Sequence, residues 1–123
     1  MRIATCSCGR LSVECTGEPV SVSLCHSRAC QKRTGTPFGI AAFFARADLV
    51  ARGASSAYSR DADSGFPVRF HFCPTCGSTV WWEPSRKPEF VAVATGAFAD
   101  PDFPAPTKSV YGEQRHRWLP GDI

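Results

Sequence analysis

Cys73-Pro74-Thr75-Cys76-Gly77 places two thiolates three positions apart on a tight turn, the spacing at which a zinc knuckle offers two ligands to one ion. Pro74 presets φ for the turn, and Gly77 accepts positive φ, so that nearby N–H groups can turn toward the sulfurs. One knuckle supplies half of a closed site. Cys6-Ser7-Cys8-Gly9 offers the other half, again with a glycine behind its last cysteine. The set Cys6, Cys8, Cys73 and Cys76 would make a tetrahedral sulfur site with no open position, which is a structural role. The two tips lie about 65 residues apart, but the entropy of closing a loop grows only slowly with its length. Zinc contributes on the order of 10 kcal/mol to small zinc peptides, ample against that cost.

A second cluster, Cys25-His26-Ser27-Arg28-Ala29-Cys30, is of a different kind. Two thiolates and one further ligand would leave a position for water or a substrate sulfur, as a catalytic zinc requires. By spacing alone, a loop carrying two free cysteines accounts for it equally well. Gln31, Lys32, Arg33 and Thr34 follow directly and could hold carboxylates through charge-assisted hydrogen bonds, or form a solvated turn. Cys15 takes an inward position in the alternating run 10–15 and reads as a buried thiol.

The elements that must position these groups are short. Runs 10–15, 20–24, 54–60, 68–72, 78–82, 89–95 and 108–111 read as strands, and 38–45 as a strand buried on both faces. Helical turns are expected just after Cys30, ended by Gly35, and over 45–49. Three prolines between Asp100 and Pro106 exclude regular structure there. The expected fold is therefore mainly β: several short coiled antiparallel sheets with zinc-knuckle hairpins, in one domain over residues 1–123. His71, on the strand entering the knuckle, reads as a hydrogen-bonded strand histidine. His116, between Arg115 and Arg117, reads as exposed. Phe38 and Phe43 read as core, and Trp81 and Trp82 point to opposite faces.

Composition narrows the classes. A net charge of +3 with acids interspersed lacks the dense basic footprint of a nucleic-acid binder. No apolar run is long enough to span a membrane and the start has no signal-peptide core, so the expectation is a cytoplasmic protein without a membrane partner. In a reducing compartment, seven cysteines at these spacings read as metal ligands rather than disulfides.

The order CxCG, CHxxxCQKRTGxPFG, FHFCPTCGSTxW, VAVATGAFADPDFPAP and a terminal RHRW resembles, nearly end to end, the glutathione-dependent formaldehyde-activating enzyme family, whose domain is shared with centromere protein V. The resemblance implies a fold of coiled β-sheets with a structural zinc on Cys6, Cys8, Cys73 and Cys76. It also implies a second zinc on Cys25, residue 27 and Cys30, with Cys25 and Cys30 catalytic. The implied activity is that of a carbon–sulfur lyase joining formaldehyde to glutathione as S-(hydroxymethyl)glutathione. Here the chain departs from the family, because position 27 is serine, and a neutral hydroxyl is a far poorer zinc ligand than a thiolate. Three outcomes stay open: a zinc held by Cys25, Cys30 and Ser27 or water; a site filled only with substrate thiol present; or no second metal. His26 could stand in for the missing thiolate only through a bent turn. The alternative function is a zinc-stabilised binding module without catalysis.

Overall fold

Alternation of period two, interrupted every few residues by glycine or proline, yields many short strands and almost no helix. The computed structural model describes residues 1–121 and 123. In chain order the strands are β1 (Arg2–Thr5), β2 (Ser12–Cys15) and β3 (Ser21–Cys25), followed by helix α1 (Arg28–Thr34). Then come β4 (Gly39–Ala45), β5 (Leu49–Arg52), β6 (Ser56–Asp61), β7 (Pro67–Phe72), β8 (Thr79–Pro84), β9 (Phe90–Ala94) and β10 (Lys108–Val110). No described helix is long and apolar enough to cross a membrane.

The strands form two sheets, β1-β2-β5 and β10-β3-β4-β9-β8-β7-β6. Pairing is antiparallel except between β10 and β3, which run parallel because the proline-rich segment carries the chain back along the sheet edge. β5 was not expected from the sequence; only Leu49 of its four residues escapes exposure, so it has little alternation to read.

The large sheet buries different residues on its two faces. Val22, Ala42, Phe44, Val80 and Val93 meet Ala4, Leu11, Val13 and Cys15 of the small sheet, forming the main core. The other face carries Val68, Phe70, Trp82 and Ala92, with Ala41, Phe43 and Ala94 against them. A shift of register between His71 and Phe72 lets β8 change phase. Val80 and Trp81 both face the main core, while Trp82 turns to the opposite face. Small residues on that second face, Ser23 of β3 with Gly39 and Ala41 of β4, leave a hollow beside Trp82.

Two hairpin tips connect the layers. In the β1–β2 tip Cys6 N–H donates to Leu11 O at 2.9 Å and Gly9 N–H to Cys6 O at 3.1 Å. The β7–β8 tip repeats the pattern, with Cys73 N–H to Ser78 O at 3.0 Å and Gly77 N–H to Cys73 O at 2.8 Å. Gly9 and Gly77 close these turns at φ 82° and 79°. Ser7 and Ser78 hydroxyls meet at 2.9 Å across the gap. His71 is nearly buried, stacked on Trp81 at 4.0 Å and bonded to Glu83 at 2.6 Å, as a strand histidine should be.

Gly53, at φ 95°, lies against the turn that carries the first cysteine pair: a Cβ there would collide with the carbonyl oxygen of Arg10. Gly9 has equally positive φ but open space around it. Gly9→Ala should therefore cost about 1–2 kcal/mol from left-handed backbone alone. Gly53→Ala adds the clash and should cost upwards of about 3 kcal/mol. Urea unfolding of both variants with zinc in excess checks the order.

Candidate metal centre and adjoining sulfur cavity

Because both tips carry their cysteines on the same turn, folding the small sheet over the large one brings four sulfurs together. The Sγ atoms of Cys6, Cys8, Cys73 and Cys76 all lie within 4.8 Å of one another. Cys8 Sγ is 3.6 Å from Cys6 Sγ and 3.6 Å from Cys73 Sγ. A tetrahedron of sulfurs around zinc has edges of about 3.8 Å for Zn–S bonds near 2.3 Å. Backbone amides supply the surrounding charge: Leu11 N–H donates to Cys6 Sγ at 3.2 Å, and Thr75 and Cys76 N–H to Cys73 Sγ at 3.4 and 3.5 Å.

The sulfurs do not ionise alike. Burial opposes the Cys6 thiolate, but the Leu11 amide and bonds from Cys8 and Cys73 outweigh it and push its pKa down. Cys76 is pushed down by the Ser78 hydroxyl and amide, then by the Cys8 amide. The Arg10 amide favours the Cys8 thiolate, yet desolvation and the neighbouring sulfurs hold this thiol up. Metal-free, the cluster must share protons among sulfurs; a divalent cation removes that conflict. The residues present fit zinc, and the closed donor set gives it a structural role.

The second cluster lies on the other face. Cys25 ends β3, Ser27 caps α1, and Cys30 stands in the first turn of the helix. All three line a cavity of about 220 Å³, together with Arg33, Arg60 and Trp82. Ser27 Oγ accepts the Cys30 N–H at 3.1 Å and the Cys25 S–H at 3.3 Å. A hydroxyl has two acceptor lone pairs, so both are taken. The neighbouring Cys25 sulfur favours the Cys30 thiolate against its burial; Ser27 and the Arg33 guanidinium add to that and push the thiol well below its ordinary range. Cys25 is driven the opposite way by the neighbouring Cys30 and by burial.

This set does not fit a resident zinc. It offers two sulfurs, a hydroxyl already engaged as a helix cap, and a guanidinium beside one sulfur where a cation would be repelled.

Arg33 is held there by packing. Its guanidinium lies 4.3 Å over the Trp82 ring, and a Cβ on Gly39 would stand 2.8 Å from its Nη2. Gly39 is thus a slot for the arginine, and burial lowers the Arg33 pKa while leaving the group charged.

The four residues after Cys30 separate by helical phase. Gln31 and Arg33 differ by about 200° around the axis. Gln31 Nε2 donates to the carbonyls of His26 at 2.9 Å and Gln114 at 3.1 Å, and its Oε1 meets His116 Nε2 at 2.8 Å. Its side chain is consumed in holding the C-terminal segment, and His116 is half-buried there rather than exposed. Thr34 Oγ1 donates to Cys30 O at 2.9 Å, closing the helix. Lys32 lines an outer groove of about 620 Å³ that Arg33 and Arg60 also border. His26 is buried against Phe38, away from the cavity lining, and burial with the Arg115 charge lowers its pKa. Cys15 is fully buried in the main core. Phe43 both packs against the group of Val68, Phe70, Trp82 and Ala92 and lines the cavity. Arg60 and Tyr111 reach the cavity from β6 and from just beyond β10. Nothing in local spacing marks Arg60, whereas Tyr111 adopts φ 57°, a strained value visible only in the fold.

Two outcomes are expected. Protein purified without added metal should hold one zinc per chain, and Ser27→Cys, which supplies a third sulfur, should raise the content toward two by elemental analysis. Alkylation of Cys30 by iodoacetamide, followed by peptide mapping, should stay near its plateau from mildly alkaline through neutral pH and fall only in acid. The thiolate is the reactive form, so a lowered pKa extends reactivity downward. Arg33→Met should move the midpoint up toward the ordinary thiol range.

The sequence model of the glutathione-dependent formaldehyde-activating enzyme family matches residues 1–114. A crystal structure of a Rhodobacter sphaeroides protein superposes with a TM-score of 0.59 at 24% identity, covering 77% of this chain and 85% of that one. At that identity the likeness concerns the fold alone. No curated protein matches the sequence. With nearly its whole length matched, the chain belongs to the glutathione-dependent formaldehyde-activating enzyme family.

Proposed function

We propose that this chain joins a small aldehyde to a thiol such as glutathione, as its family's name describes, in the cavity that holds Cys25 and Cys30. The observation that carries this reading is the placement of both sulfurs, Cys25 and Cys30, on the wall of one cavity beside a guanidinium fixed over Trp82. Addition of a thiol to an aldehyde forms a carbon–sulfur bond as the carbonyl π pair moves to oxygen. The proton lost from sulfur ends on that oxygen. In this reading Cys30 accepts the proton of the entering thiol and the Cys25 S–H returns one to the oxygen, so the pair is restored with its sulfurs exchanged in role. Arg33 faces the negative charge at each stage. Zinc on Cys6, Cys8, Cys73 and Cys76 supplies stability to the fold that holds these groups when it is bound.

A second reading, a zinc-stabilised module that binds a thiol without turnover, is favoured by Ser27. Its oxygen accepts the Cys30 N–H as the cap of α1 and the Cys25 S–H, and the chain lacks the third sulfur that the family resemblance calls for. NMR exchange spectroscopy of formaldehyde and glutathione separates the two. We expect interconversion faster than the spontaneous rate, reduced about 100-fold or more by Cys30→Ser. Saturable glutathione binding with no acceleration would replace the first reading by the second.

A further inference from the structure

Formaldehyde has no charge and one carbon, yet the cavity at Cys25 and Cys30 is built around two cations. Arg33 and Arg60 border both the inner cavity and the outer groove, forming the wall between them. Their guanidinium groups pack on one aromatic pair, Arg33 over Trp82 at 4.3 Å and Phe70 at 5.6 Å, Arg60 over Phe70 at 5.0 Å. Aromatic faces fix the planes of both forks while leaving their N–H edges free.

Neither arginine has a carboxylate partner among the described residues. Arg33 Nε is buried with no acceptor. Arg60 Nη1 donates to the Asp61 carbonyl oxygen at 3.2 Å and makes no ion pair. The one acidic side chain on the cavity wall, Asp63, forms no salt bridge with either; its field falls on Tyr111. Two guanidinium groups on the wall of one cavity, with no ion pair to an acid, favour an anionic ligand.

The size and place of the cavity say which anion. Its volume of about 220 Å³ is several times that of a water, about 30 Å³, and a one-carbon aldehyde is only slightly larger than water. Arg33 Nη2 and the Cys30 Cβ both crowd the same position over Gly39, so the fork lies within one side chain of the reacting sulfur. In a tripeptide thiol each carboxylate is many bonds from its sulfur and belongs farther out, where Lys32 lines the larger groove.

We infer that the electrophile handled here carries its own carboxylate: a short oxo acid, held across Arg33 and Arg60 with its carbonyl carbon toward Cys25 and Cys30. The inference rests on the thiol–aldehyde reading above and assigns Arg60 as a specificity-determining residue. The chemistry keeps the same balance, since the thiol adds across C=O and its proton ends on oxygen while the carboxylate is unchanged.

Glyoxylate is the probe. In ¹H–¹⁵N spectra of the arginine Nε–H region, the Arg33 signal should shift saturably with glyoxylate and not with formaldehyde. Affinity should fall at least tenfold in Arg60→Gln and by less in Arg60→Lys, which keeps the charge but not the fork. Zinc content and unfolding midpoint show that the variants fold. Exchange spectroscopy with glutathione should show greater acceleration for glyoxylate than for formaldehyde, with the ratio collapsing in Arg60→Gln. A shift of Arg33 produced by glutathione alone and lost in Arg60→Gln would overturn the inference, placing the thiol's carboxylate there instead. Acceleration with formaldehyde but no glyoxylate binding would also overturn it while leaving the parent reading intact. Glyoxylate binding without acceleration of either aldehyde would sink the parent reading and uphold the carboxylate site.

Discussion

Four sulfurs from two distant hairpins cannot all be thiolates at this separation without a cation between them, and that electrostatic conflict organises the molecule. Cys6 and Cys8 belong to the small sheet, Cys73 and Cys76 to the large one, so the ion that resolves the repulsion also clamps the two layers. The main core is the contact between those layers, and Cys6 and Cys73 are part of it. A zinc ion held by these four sulfurs would therefore couple metal binding to the packing of the two layers.

The clamp leaves the opposite face of the large sheet free for chemistry. There the strands carry serine, glycine and alanine where the core side carries valine and phenylalanine, and the missing volume becomes a cavity. A short helix closes one end. Its cap is Ser27, its first turn carries Cys30, and its last turn sends Arg33 into a slot between Gly39 and Trp82. The serine that weakens the second cluster as a metal site serves as the cap of α1 and accepts from Cys25. A tethered guanidinium stands beside the two sulfurs on the cavity wall.

Much of this was legible in the sequence because it is local. The CxCG and CPxCG turns declare their sulfurs and their glycines within five residues, strand alternation placed Cys15 inward and set Trp81 and Trp82 on opposite faces, and His71 read as the hydrogen-bonded strand histidine it is. What escaped is long-range or depends on phase. Gln31 and Arg33 look equivalent in a run of polar residues, yet the helix turns one to backbone carbonyls and the other to the cavity. His116 looked exposed because its partner, Gln31, is 85 residues away. Arg60 is reached only through the pairing of β6 with β7, and the phase change in β8 needs a register shift no periodicity reveals. β10 adds in parallel to β3, a topology that short strands and prolines do not encode by themselves.

The central claim is that one zinc on four sulfurs clamps the layers while Cys25 and Cys30 stay free of resident metal. X-ray absorption at the zinc edge, on protein purified without added metal, reads both halves at once. The expected result is one zinc per chain with four sulfurs at about 2.3 Å. A first shell containing oxygen or nitrogen, or a second equivalent of zinc, would contradict it.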